Sequence, residues 1–99
     1  MNSTDWKIAI TKDLLKELER RGLVSTILGK LEELSRRLRA EPERMLRVLM
    51  REPVIFELGE FKVRRLRVGN YRLFYIIDHG RKYIVFFDIK PRRKAYRRK

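Results

Sequence analysis

The spacing of apolar residues along this 99-residue chain changes once, near residue 60. Before that point the period is mostly helical. Residues 6–10, WKIAI, alternate apolar and polar side chains, as a half-buried strand does. Thr11 is placed to cap a following helix whose apolar stripe is Leu14, Leu15 and Leu18 and which Gly22 ends. A second helix begins at Leu23, with Leu23, Ile27, Leu28, Leu31, Leu34 and Leu38 expected on one packed face. So short a connection predicts that the two helices form a hairpin. Pro42 suits the first turn of a third, short helix through Met45, Leu46 and Leu49 that stops before Pro53. Residues 54–60, VIFELGE, fit either a strand or an extended connection.

Beyond residue 60 the period becomes that of strands. FKVRRLRV, YRLFYIID and KYIVFFDIK are rich in β-branched and aromatic residues. Gly69-Asn70 supplies the first turn between them, and Asp78-His79-Gly80-Arg81 the second. The last two strands are apolar on both faces, which predicts central or helix-covered positions. The whole order predicts an α+β fold: an N-terminal strand, an α-helical hairpin plus a short helix, then an antiparallel three-stranded β-meander forming a twisted sheet with the helices on one face. Length and the absence of any linker or repeat predict one domain over residues 1–99.

Charge divides the chain at the same place. Residues 61–99 carry 14 Lys and Arg against only Asp78 and Asp88, whereas residues 1–60 carry 12 basic and 11 acidic side chains. The total net charge is +13. Segregation of this kind marks a surface for a polyanion, and arginines set into strands place that surface on the sheet. Nucleic acid is the expected partner.

Several chemistries are excluded by composition. One histidine and no cysteine leave no ordinary zinc site and no thiolate nucleophile. There is no glycine-rich phosphate loop, and Asp78 and Asp88 are too few for a two-metal nuclease. No metal or cofactor is therefore expected. His79 falls in a turn and reads as a solvated residue. No apolar run approaches the length that spans a bilayer and the N-terminus lacks a secretory pattern, so a cytoplasmic protein without membrane contact is expected. The absence of Gln and the 39% charged content lean towards a thermophilic source.

The candidate site is built from Arg, Lys and Tyr. Arg65 and Arg67 are two apart in one strand and share a face, with Arg64 opposite. Arg72 opens the next strand. Lys90 and Arg92 share a face across Pro91, and Tyr96 follows. Strands lie about 4.8 Å apart, so these groups can converge on one phosphate. Such a cluster serves either to hold backbone phosphates or to stabilise charge at a reacting one.

Two phrases, RLRVGNYRLFYIID and FFDIKPRRKAY, resemble the RelE/ParE toxin superfamily, and the order of elements extends the resemblance over nearly the whole chain. The matching residues are Arg65, Arg67, Val68, Gly69, Tyr71, Arg72, Arg92 and Tyr96. The resemblance implies the toxin of a type II toxin–antitoxin system. In its RelE-like form this is a ribosome-dependent endoribonuclease that cuts messenger RNA in the ribosomal A site and stops translation. The implied reaction is attack of a ribose 2′-oxygen on the adjacent phosphorus, without metal, leaving a 2′,3′-cyclic phosphate and a 5′-hydroxyl. Arg72 would stabilise phosphate charge. Tyr96 would stack on a base or help orient or deprotonate the 2′-hydroxyl. Lys90 or Arg92 would protonate or neutralise the leaving oxygen, and Arg65 falls among the catalytic basic residues. Lys62, Arg64, Arg67, Arg93, Lys94, Arg97 and Arg98 are the expected RNA contacts. A RelB-like antitoxin, the ribosome and messenger RNA are the implied partners. Pro91 stands where many members have His, and the Glu/His acid–base pair of some related toxins has no counterpart in the sequence. Two alternatives remain open: a ParE-like inhibitor of DNA gyrase, and a non-catalytic nucleic-acid-binding member of the superfamily.

Overall fold

A computed structural model describes residues 5–92. Strand β1 (Lys7–Ile10) leads into helix α1 (Lys12–Arg21), α2 (Val24–Ala40) and α3 (Pro42–Arg51), followed by strands β2 (Val54–Leu58), β3 (Phe61–Val68), β4 (Tyr71–Asp78) and β5 (Tyr83–Pro91). The sheet order is β1-β5-β4-β3-β2, parallel between β1 and β5 and antiparallel elsewhere. The α+β class and the helices packed against the sheet agree with the sequence pattern. The segment that fitted two descriptions, 54–60, contributes β2 and lengthens the meander to four strands. β4 and β5 are internal, as their two apolar faces require.

Local signals set the helix ends. The Thr11 hydroxyl accepts a hydrogen bond from the Leu14 amide at 3.2 Å, satisfying one of the free donors of the first turn. Gly22 takes φ +69°, where a side chain would be strained, while the amides of Gly22 and Leu23 close back on Glu19 and Leu18. Pro42 lies at the start of α3.

The core forms where the helix stripes meet one face of the sheet. Leu14 and Leu18 of α1, Ile27, Leu31, Leu34 and Leu38 of α2, and Met45 and Leu49 of α3 pack with Leu73, Tyr75, Ile84, Phe86 and Ile89. Two expected members are absent: Leu15 is half-buried outside the cluster, and Leu28 is exposed, because Ile27 takes the inward position and Leu28 lies further round the helix. The second turn also differs from its sequence reading. Its left-handed residue is Lys82 (φ 61°), whose carbonyl accepts from the Lys7 amide of β1 at 3.0 Å. His79 is exposed, its ring edge-on to Trp6.

Tyr75 fastens α3 to the sheet. Its buried hydroxyl donates to the Leu49 carbonyl at 2.7 Å, one of the four C-terminal carbonyls that a helix leaves without an internal partner. Burial raises the Tyr75 pKa well above its ordinary value, the nearby Glu52 charge adds to the rise, and Arg64 opposes it. Tyr75→Phe is expected to lower stability by about 1–2 kcal/mol, because it strands that carbonyl. The raised pKa has a definite sign. Above about pH 10 an unfolded tyrosine releases its proton while the folded one keeps it, so this contribution is complete below pH 10 and declines above it. Denaturant melts from pH 8 to 11 should show a steeper alkaline loss in the wild type than in Tyr75→Phe.

Candidate functional site

Alternation along β3, β4 and β5 sends apolar side chains to the helices and most of the basic ones to the other face. Leu66 and Leu73 are register partners on the helix side, as are Leu73 and Ile89. One residue along, Arg67 pairs with Arg72, and Arg72 pairs with Lys90. Three cations on three neighbouring strands thus form one row across the open face. The next row on that face is Arg65, Phe74 and Asp88. Phe56 of β2 meets Phe74 edge-on at 6.5 Å between ring centroids, giving the site an apolar margin.

The members of the row differ in exposure. Arg67 and Lys90 are exposed, whereas Arg72 is only 1% exposed. A guanidinium so enclosed is held in place and acts through a medium of low polarity, where its field on a neighbouring anion is stronger than in water. Its Nη1 donates at 3.5 Å to the Tyr71 carbonyl. Arg67 and Lys90 are therefore the groups that meet an incoming anion, with Arg72 the fixed charge between them.

Arg92 begins just past β5, exposed, and its amide donates to the Asn70 carbonyl at 2.7 Å. That bond ties the end of β5 to the β3–β4 turn, where Gly69 has φ +58°, and keeps Arg92 at the same end of the sheet as the row. Arg65 lies on the open face one row in. Arg64 is not brought there: its Nη1 donates to the Glu52 carbonyl at 2.7 Å on the helix side. Lys62 and Arg64 line a separate cleft with Met50, Glu60, Phe61, Ile77 and His79. Tyr96, Arg93, Lys94, Arg97 and Arg98 lie outside the described residues.

One residue at the site escaped the sequence reading. Asp88 was weighed only as a metal ligand, yet its Oδ2 lies 3.8 Å from the Lys90 Nζ. Its Oδ1 accepts from the Ile89 amide at 2.8 Å. The signal was present, since residues two apart on a strand share a face. Among the described residues no helix is long and apolar enough to cross a membrane.

The comparisons with known proteins agree with this architecture. The family model described as the ParE toxin of type II toxin–antitoxin systems, parDE, matches residues 8–96. Fold and match together define the class of this protein, the toxin of a toxin–antitoxin system. The chain belongs to the ParE toxin family, within the RelE/ParE superfamily. It is similar to a chain in the crystal structure of the archaeal RelE–RelB complex from Pyrococcus horikoshii OT3, with a TM-score of 0.61 and 25% identity. The match covers 90% of this chain and 97% of that one. No curated protein matches the chain.

Salt titrations of binding to a single-stranded RNA oligonucleotide test the geometry of the row. Arg67→Ala and Lys90→Ala should each reduce the slope of log K against log salt by about 0.7–1, one phosphate contact apiece. Arg64→Ala should leave the slope unchanged.

Proposed function

We propose that this toxin is an endoribonuclease that cuts messenger RNA in the ribosomal A site and so stops translation. The observation that carries the reading is the row Arg67, Arg72 and Lys90, held in register across three strands. Like charges placed side by side on a sheet oppose folding. A phosphate seated over the row relieves that repulsion, and a phosphorane-like transition state, with more negative charge, relieves it further. Charge stabilisation then needs no metal.

The reaction is attack of the ribose 2′-oxygen on the adjacent phosphorus, giving a 2′,3′-cyclic phosphate and a 5′-hydroxyl. Arg72 stabilises the phosphoryl charge, Arg67 and Arg65 hold the strand, and Lys90 or Arg92 neutralises the leaving oxygen. Tyr96 stacks on or orients the nucleotide that supplies the 2′-hydroxyl. Lys62, Arg93, Lys94, Arg97 and Arg98 add phosphate contacts away from the scissile bond, whereas Arg64 serves the fold through its bond to the Glu52 carbonyl. Arginine does not exchange protons at neutral pH, so the isolated protein is a weak nuclease and positioning by the ribosome supplies much of the rate. A RelB-like antitoxin neutralises the toxin; the similarity to a chain from a RelE–RelB complex supports such a partner. The cytoplasm, where ribosomes are, is the site of action.

A second reading, inhibition of DNA gyrase, is favoured by the ParE description of the matching family model. Primer extension on a message in a reconstituted translation reaction separates the two. New breaks at A-site codons that require ribosomes, disappear in Arg72→Ala and weaken at least 10-fold in Tyr96→Phe support the nuclease. An intact message, with gyrase supercoiling blocked in a parallel assay, moves the protein to the second reading.

A further inference from the structure

From the position of Asp88 we infer that this toxin carries its own general base, and that Asp88 and Lys90 form an acid–base pair on β5. The inference rests on the nuclease reading above and assigns a step that the arginines cannot perform.

A carboxylate beside a phosphate-binding row works against binding. Asp88 is nevertheless in the row adjacent to Arg67, Arg72 and Lys90, on the same face, directly across from Phe74. Its side chain is 41% exposed and that of Lys90 48%, so both reach solvent and substrate. Their contact at 3.8 Å is a solvated ion pair of the kind that contributes little to stability, so it opens at small cost when a phosphate enters. The groups around Asp88 are mixed in sign. Beyond Phe86 the β5 strand has no β1 neighbour, and along that edge Asp88 lines a cleft with Asp13, Lys16, Glu17 and Arg20 of α1, while Lys90, Arg72 and Arg65 stand on its own face of the sheet.

The step balances without any further reactant. The 2′-hydroxyl proton passes to an Asp88 carboxylate oxygen as the bond from the 2′-oxygen to phosphorus forms. The bond from phosphorus to the 5′-oxygen breaks, and that oxygen takes a proton from the Lys90 ammonium. Asp88 then gives its proton to water and Lys90 recovers one from water. The four-carbon stem of Lys90 lets its ammonium move to the leaving-group side of phosphorus while Asp88, bonded to the Ile89 amide, stays on the other.

A general base and an electrostatic liability are the same atoms here, which gives the test two readouts of opposite direction. Asp88→Asn keeps an oxygen for the Ile89 amide but cannot take a proton. On ribosome-bound message it should slow cleavage by about 10²–10⁴-fold, while single-stranded RNA binds several-fold more tightly. Asp88→Glu, which keeps a carboxylate at this position, should recover part of the rate. A message with sulfur in place of the bridging 5′-oxygen needs no acid at the leaving group. It should restore Lys90→Ala towards the wild-type rate and leave Asp88→Asn slow. An Asp88→Asn variant that cleaves as fast as wild type overturns the assignment and reduces Asp88 to a surface ion pair; if Arg72→Ala is still inactive, the nuclease reading survives. A variant that loses rate and RNA binding together has lost its fold, which thermal melting reports, and Asp88→Glu then decides: no recovery overturns the proposal. A wild type that leaves the message intact removes the nuclease reading and this proposal with it.

Discussion

Cross-strand register is the constraint on which the rest depends. The ladder of backbone hydrogen bonds joining β3, β4 and β5 places Arg67, Arg72 and Lys90 side by side with no freedom to separate at the backbone. Each like-charged pair a few ångströms apart costs on the order of 1 kcal/mol even in water, and more where solvent is excluded. Arg72, nearly fully enclosed, cannot move away from its neighbours. The register therefore gathers positive charge on one face, offset at Lys90 by Asp88, and the helix-side core supplies the stability that tolerates it.

That core is the other consequence of the same ladder. Shifting any strand by one residue would turn Leu66, Leu73 and Ile89 to the open face and the cations into the helices. Burying those cations against the apolar stripes of the helices costs far more than any contact regained, so apolar packing and charge segregation select the same register. Tyr75 and Arg64 reinforce it from the helix side by bonding the Leu49 and Glu52 carbonyls at the end of α3. Each ties a different strand to that helix, so that α3 cannot shift without disturbing both.

Function follows from the division of the sheet into two unlike faces. One is the apolar bed for α1, α2 and α3; the other carries the row Arg67, Arg72 and Lys90 with an aromatic margin from Phe56 and Phe74. In the proposed reaction the substrate approaches the face that the helices leave open, so substitutions at the solvent-reaching Arg67, Lys90 or Asp88 test the chemistry with little effect on packing. Arg72 is the exception, being both enclosed and central to the row.

The sequence by itself determined the three helices and the strands β1, β3, β4 and β5, the caps at Thr11 and Gly22, the internal places of β4 and β5 and the shared face of Arg65 and Arg67 opposite Arg64, because these follow from period, local hydrogen bonding and the alternation of strand side chains. The motif Arg65 to Arg72, and the ending that contains Arg92 and Tyr96, carried the family as well. Tertiary structure alone decided the rest. β2 became a strand because β3 offered it an edge, a non-local pairing that VIFEL does not encode. Leu28 turned outward because Ile27 filled the inward position beneath it. The register irregularity between Phe74 and Tyr75 let Phe86 as well as Ile89 face the helices while Asp88 and Lys90 stayed on the open face. Enclosure of Arg72, likewise, depends on how neighbouring strands and side chains close over it, and no count of charges along a chain contains that distance information.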